Sequence, residues 1–249
     1  MHILAFVNQK GGVGKTTTVQ NVGAALARAD QRILLVDLDA QGSLTASCGL
    51  DPEELGQTIY DVLDGSAPVE AIRIAAQGCD LLPAGLALAQ ADLAFAARLG
   101  RENLLKKALA KVSGYDYVLL DCPPNLGLIT VNALIAATGI IIPVQAEFHA
   151  LRGLELLQGT VASVQELNPT LQVLGIVLTF YDKRKTLNRE VFYELRRNFP
   201  DLLFETLIRD AVALAEAPSH GHDILTYRPG SVGAEDYERL AKEITRRTK

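Results

Sequence analysis

Lys10-Gly11-Gly12-Val13-Gly14-Lys15-Thr16-Thr17 is the stretch in which residue type and spacing most plainly serve chemistry. It lies between the apolar run 3–7 and a helical pattern that begins near Lys15. A glycine-rich turn at a helix start gathers unpaired backbone N–H groups and the positive end of the helix dipole, so it attracts anions. Glycine accepts positive φ and lets the backbone close around a phosphate. In that setting Lys15 would meet β- and γ-phosphate oxygens and the Thr16 hydroxyl would ligate Mg²⁺, while Gly11, Gly12, Val13, Gly14 and Thr17 supply the cradle. The strict pattern G-x-x-x-x-G-K-[ST] is not met, because Gln9 stands where its first glycine belongs. The variant K-G-G-x-G-K-T is met, with an additional lysine, Lys10, at the mouth of the loop.

A phosphate loop needs a metal partner on a neighbouring strand tip. Tyr117-Val118-Leu119-Leu120-Asp121 is an apolar run ending in a carboxylate, and Asp121 would reach Mg²⁺, usually through water. Asp37 and Asp39 end a second apolar run, where ligands bind in open α/β sheets. If strand geometry persists through Asp39 the two acids share a face; if the turn begins early they diverge.

The elements that must position these residues follow from the pattern of the whole chain. Its 249 residues, 49% hydrophobic and 21% charged, suit one large folded unit over 1–249. Apolar runs alternate with helical patterns, which predicts a mostly parallel twisted sheet with helices on both faces. Helices are expected near 15–29, 86–98, 101–112, 128–137, 149–167, 187–198 and 233–247, with a helical turn around 211–217. Strands are expected at 3–7, 32–37, 79–83, 117–121, 140–144, 173–179 and 203–208, and 51–78 reads as loops and short helices. No apolar run approaches the ~20 residues of a membrane helix, and no leader pattern is evident at the N-terminus. Three cysteines without ligand spacing suit a reducing cytoplasm, and the four histidines have no metal spacing. A net charge of −5 argues against a nucleic-acid binder by composition alone, so any such binding needs a local patch.

On the variant phosphate loop, Asp121-Cys122-Pro123-Pro124 and Asp37-Leu38-Asp39-Ala40-Gln41-Gly42, the chain resembles the ParA/MinD family of deviant Walker A ATPases. The likeness runs from Ile3 to about Ile244. Pro143-Val144-Gln145-Ala146-Glu147 and Leu214-Ala215-Glu216-Ala217-Pro218-Ser219 look like the ParA/Soj branch. The resemblance implies a P-loop NTPase that hydrolyses ATP with Mg²⁺. Asp39 would orient the attacking water and Asp37 would support the metal region, although Ala40 stands where the family has proline. Lys10 would cross an ATP-dependent homodimer to the phosphates held by the other subunit, a charge arriving only on assembly. The absence of N-K-x-D favours adenine over guanine. The family's base loop matches Leu207-Ile208-Arg209-Asp210, with Arg209 in the proline's place; a backbone carbonyl there needs no particular side chain to accept from adenine.

Tyr181-Asp182-Lys183-Arg184-Lys185 is the tight basic cluster away from the phosphate loop. The resemblance implies that Arg184, with Lys183, Lys185 and Arg189, contacts non-specific double-stranded DNA through phosphates. Asp210 and Ala213 fall where the family carries further basic residues, and a short charge run also serves simply as a solvated face. The implied role is chromosome or plasmid partition at the nucleoid, with hydrolysis stimulated by a ParB-type centromere-binding protein. Two other readings on the same fold are a MinD-like ATPase at membranes and a small-molecule ligase or kinase of the dethiobiotin synthetase kind. The narrow stripe Tyr237, Leu240 and Ile244 near the C-terminus favours packing on the core over membrane insertion.

Overall fold

The computed structural model describes residues 1–147 and 150–249. Its first half runs β1 (His2–Phe6), α1 (Lys15–Ala27), β2 (Ile33–Asp37), α2 (Ser43–Ser47), α3 (Ile59–Asp64), α4 (Val69–Ile72), β3 (Ile74–Ala76), β4 (Cys79–Leu82), α5 (Ala91–Ala94) and α6 (Leu104–Leu109). Its second half runs β5 (Tyr117–Asp121), α7 (Leu128–Ala136), β6 (Gly139–Gln145), α8 (Ala150–Gln165), β7 (Gln172–Thr179), α9 (Thr186–Asn198), α10 (Val212–Glu216), α11 (Ile224–Tyr227) and α12 (Val232–Arg247).

The seven strands form one sheet in the order β3-β4-β2-β5-β1-β6-β7. Every pairing is parallel except β3 with β4 at the edge. Alternation along the strands divides the core between two faces. Leu4, Phe6, Leu35, Leu119 and Ile141 face the layer holding α1, α11 and α12. Ala5, Leu34, Val36, Val118, Leu120 and Ile140 face the layer holding α3, α6, α7, α8 and α9. Burial on both faces is what gives these strands their near-continuous apolar sequence.

Chain direction reverses around β1. The first half extends from β1 past β5 towards β4, and the second half extends through β6 to β7. The carboxyl ends of β1, β5 and β2 therefore open onto one crevice, where doubly wound sheets place their ligands. Register puts Phe6 beside Asp121 and Asp121 beside Asp37, so the candidate acids reach that edge together.

Several expectations are corrected. The helix expected over 86–98 is a 3₁₀ turn at Leu86–Gln90 followed by the single turn α5. The helix expected over 101–112 is a 3₁₀ turn followed by α6. Gly85 and Gly100 lie immediately before these pieces, and Gly100 has φ 68°. The stretch 203–208 is not a strand of the sheet. Leu203 makes an isolated bridge to Ile176, and Arg209 makes another to Tyr181. Strand β3 emerged from a stretch read as loops. The expected start of the 149–167 helix, His149, lies outside the described residues. The stripe Tyr237, Leu240 and Ile244 is buried within the α1 layer.

Candidate functional site

The loop between β1 and α1 is fixed on both sides before any ligand is considered. Asn8 donates through Nδ2 to the Pro143 carbonyl at 2.7 Å and accepts the Lys10 N–H at 2.9 Å. Thr179, on the other flank, donates to the Val13 carbonyl at 2.8 Å. Gly12 and Gly14 have φ of 73° and 83°, a region that a side chain at Cβ disfavours. Gly14 caps α1 with no side-chain acceptor of its own, so the first N–H groups of that helix point into the loop. These constraints produce a cradle shaped for an anion.

Lys15 is buried, and its ammonium reaches back 3.2 Å to the Lys10 carbonyl across the loop. Burial lowers its pKa, while Asp121, Cys122 and Asp39 oppose that shift. Thr16 donates to Asp121 Oδ2 at 2.7 Å, joining the loop to the tip of β5. The other oxygen, Asp121 Oδ1, is buried and has no hydrogen-bond partner among the described residues. Burial, then the neighbouring Asp37, pushes the Asp121 carboxyl well above the usual carboxylate range. A buried acid with one orphaned oxygen beside a phosphate cradle fits a hydrated divalent cation, whose charge would hold the acid ionised. Among the described residues there is no cluster of three or more His, Cys, Asp or Glu side chains able to cage a metal. Mg²⁺ is commonly held by one or two protein oxygens together with substrate phosphates and water.

The two acids after β2 diverge. The strand ends at Asp37, whose carboxylate is fully buried and turned onto α2. Its Oδ2 accepts both the N–H and the hydroxyl of Thr45 at 2.8 Å, and its Oδ1 accepts the Asp39 N–H at 3.1 Å. Burial raises the Asp37 carboxyl to about 6 against these hydrogen bonds. Asp37 thus anchors the loop that carries Asp39. Asp39 is partly exposed and lines the phosphate pocket, a cavity of about 370 Å³, with Lys15 and Thr16 on another wall. Gly42, at φ 62°, closes the turn; a Cβ there would come within 2.7 Å of Pro52.

Lys10 sits at the rim, half exposed, and forms an ion pair with Glu147 just beyond β6. Glu147 ends the motif Pro143–Glu147, and the sequence alone assigns it no role. The signal was its place at a strand tip directly opposite the loop.

A second cavity of about 370 Å³ adjoins the loop. It is walled by Gly14, Thr17, Phe180, Leu214 and Tyr237, with Arg209, Asp210 and Ala211 on its rim. Its apolar walls and backbone rim suit a base. Sequence reasoning found Arg209 and Asp210 but missed Phe180 and Tyr237. Phe180 has φ 52° and packs 3.4 Å from the position a Gly14 Cβ would take, a contact only the fold creates.

The basic cluster lies beyond that cavity. Arg184 forms an ion pair with Asp182 at 2.8 Å, and Lys185 pairs with Asp210 at 3.5 Å. Arg189 and Lys183 are exposed on α9 and the loop before it. An open groove of about 1070 Å³ brings Lys183 and Arg184 together with Arg239, Lys242 and Arg246 of α12. The last three were missed because they are some 55 residues away in the chain and share a face only through the fold.

The matches to known proteins run the length of the chain. The family model described as an AAA domain matches residues 1–173. The chain is 45% identical over 246 residues to the sporulation initiation inhibitor protein Soj of Bacillus subtilis, covering 97% of each. It is 40% identical over 253 residues to the chromosome partitioning protein ParA of Caulobacter vibrioides, covering 99% of this chain and 95% of that one. A crystal structure of cobyrinic acid a,c-diamide synthase from Mycobacterium smegmatis, with bound ATP analog and magnesium, matches with a TM-score of 0.88 at 39% identity. That match covers 99% of this chain and 95% of the other. The alternating αβ order, the phosphate loop after β1 and relatives of this closeness agree: the chain belongs to the ParA/Soj family of P-loop ATPases.

Proposed function

We propose that residues 1–249 form one ParA-type unit that dimerises on binding MgATP, binds duplex DNA without sequence preference and drives partition of a chromosome or plasmid. The observation that carries the nucleotide part is the strand-tip set. Lys15 and Thr16 belong to a preformed anion cradle, Asp121 keeps one buried oxygen without a partner, and Asp39 lines the same pocket.

In this reading Lys10, Gly11, Gly12, Val13, Gly14, Lys15, Thr16 and Thr17 hold the phosphates. Arg209 and Asp210 hold the base edge. Mg²⁺, when bound, would supply positive charge to the phosphates. Thr16 and Asp121 would hold the cation, and Asp37 fixes the loop around it. Lys15 neutralises phosphate charge from inside the loop. Asp39 orients the attacking water from the pocket wall. Lys10 leaves Glu147 and reaches the phosphates of a second subunit, supplying charge to the transition state only in the dimer. The groove formed by Lys183, Arg184 and α12 contacts DNA phosphates, with Arg189 and Lys185 at its edge. A ParB-type partner accelerates hydrolysis and so releases the DNA. The protein would act in the cytoplasm, at the nucleoid.

Two observations bear on the MinD-like membrane reading. Tyr237, Leu240 and Ile244 are buried on the core, so α12 does not present that stripe to a membrane. Among the described residues no helix is long and apolar enough to span one. The test of the proposal is light scattering of Asp39→Ala with MgATP. A stable dimer is expected, and a monomer at saturating nucleotide would overturn the proposed cycle.

A further inference from the structure

Arg209, placed above at the base edge, is tied to Asp236 in an ion-paired ring, and Asp236 itself has no part in the nucleotide chemistry above. Asp236 lies on α12 and its carboxylate is only 2% exposed. It accepts from Arg209 Nε at 2.8 Å and from Nη2 at 2.6 Å, a two-pronged contact with the guanidinium. The same carboxylate accepts the backbone N–H of Arg209 at 3.0 Å. Side chain and main chain of one residue are thus bound to one buried acid.

The ring has a conformational consequence. It restricts rotation about the Arg209 N–Cα bond and removes its N–H from use. Proline does both covalently, by fixing φ and lacking a donor. The next N–H, from Asp210, is held by the Tyr181 carbonyl at 3.1 Å. The Arg209 carbonyl and the Ala211 N–H have no hydrogen-bond partner among the described residues. They form an acceptor and a donor two residues apart on the rim of the base cavity. Adenine offers the complementary order on its Watson–Crick edge, an amino donor beside a ring-nitrogen acceptor. Guanine offers the reverse, a carbonyl acceptor beside an N–H donor.

α12 also touches the cavity through the next residue. Tyr237 walls it and shares a 3.3 Å hydrogen bond with Thr18, which in turn donates to the Gly14 carbonyl at 2.7 Å. One helix turn therefore ties the base rim to the phosphate loop.

We propose that Asp236 is a positioning residue for base recognition: through Arg209 it holds the 209–211 backbone in the order that accepts adenine and rejects guanine. The inference rests on the nucleotide-site reading. Its range is set by the loss of one good hydrogen bond, about 1.4 kcal/mol or tenfold in affinity.

The experiment titrates a fluorescent ADP analogue and its GDP counterpart, with Mg²⁺, against four proteins. These are the wild type, Asp236→Asn, Arg209→Ala and the double variant Arg209→Pro/Asp236→Val. Melting temperatures without nucleotide are recorded alongside. Arg209 is 40% exposed, so its variant keeps the test open should Asp236→Asn fail to fold. The single variants should bind the ADP analogue about tenfold more weakly while GDP affinity moves less than threefold, so selectivity falls. The double variant, which restores a fixed φ and leaves no buried charge, should return to within about threefold of the wild type. Unchanged ADP-to-GDP selectivity in the single variants, whatever their melting temperatures, overturns the positioning role. A wild type that binds neither analogue removes the nucleotide reading as well, and that result is distinct from the first.

Discussion

The phosphate loop and the basic groove hold their charges in opposite ways. In the loop Lys15, and at the strand tips beside it Asp37 and Asp121, are buried and fixed by backbone or side-chain contacts. In the groove Arg184 is largely exposed and folded back onto its own neighbour, Asp182, and Lys185 is drawn to Asp210. Charges in a low-dielectric setting act strongly on whatever enters. Exposed pairs are screened by water and salt and act weakly. A preformed site can therefore be compromised by one substitution, whereas the groove must work by summing several weak contacts.

The largest effect should come from the loop. Lys15→Ala should reduce MgATP hydrolysis by about 10³-fold or more, since it removes a preorganised charge from the transferring phosphoryl group; steady-state phosphate release measures it. Asp39→Ala should lower hydrolysis by about 10²-fold with nucleotide affinity preserved, because water orientation affects the transition state and not the ground state. Equal losses in affinity and turnover would place Asp39 among the binding residues. Lys10→Ala should keep monomer affinity for ATP and lose ATP-dependent dimerisation, read by light scattering. Glu147→Gln should favour the dimer by freeing Lys10 from its ion pair, a shift of about twofold to fivefold in the dimer dissociation constant.

The smallest effects belong to the groove. Arg184→Ala should flatten the log–log salt dependence of DNA binding by about 0.9. Asp182→Asn should leave that slope unchanged and raise DNA affinity at fixed salt by about twofold to fivefold, because Arg184 loses its competing acid while the side-chain oxygen still accepts the Arg184 backbone N–H. If Asp182→Asn changes nothing, the Arg184–Asp182 pair does not limit the groove.

What the sequence made legible follows the same division. The phosphate loop is eight consecutive residues, so its chemistry stands in one line of text. The strands were readable because burial on both faces leaves nearly unbroken apolar runs such as Ile33–Asp37 and Tyr117–Asp121. The helices expected over 86–98 and 101–112 were not, because their Ala- and Leu-rich composition favours a long helix while the chain there breaks into short 3₁₀ and α turns with no glycine or proline to mark the breaks. The divergence of Asp37 and Asp39 depended on where β2 stops, which Thr45 decides by capturing Asp37 from eight residues away. Lys10 with Glu147, Arg209 with Asp236, and Arg184 with α12 are pairings across the chain, and no local pattern announces them.

The central claim is that nucleotide state, acting at the loop, governs binding at the groove. The most direct test is retention of the purified protein on random duplex DNA with ATP, with ADP and without nucleotide, across a salt series and repeated with Arg184→Ala. Salt-sensitive retention with ATP alone, weakened in the variant, is the expected result. Equal retention in all three nucleotide states, or none in any, would contradict it.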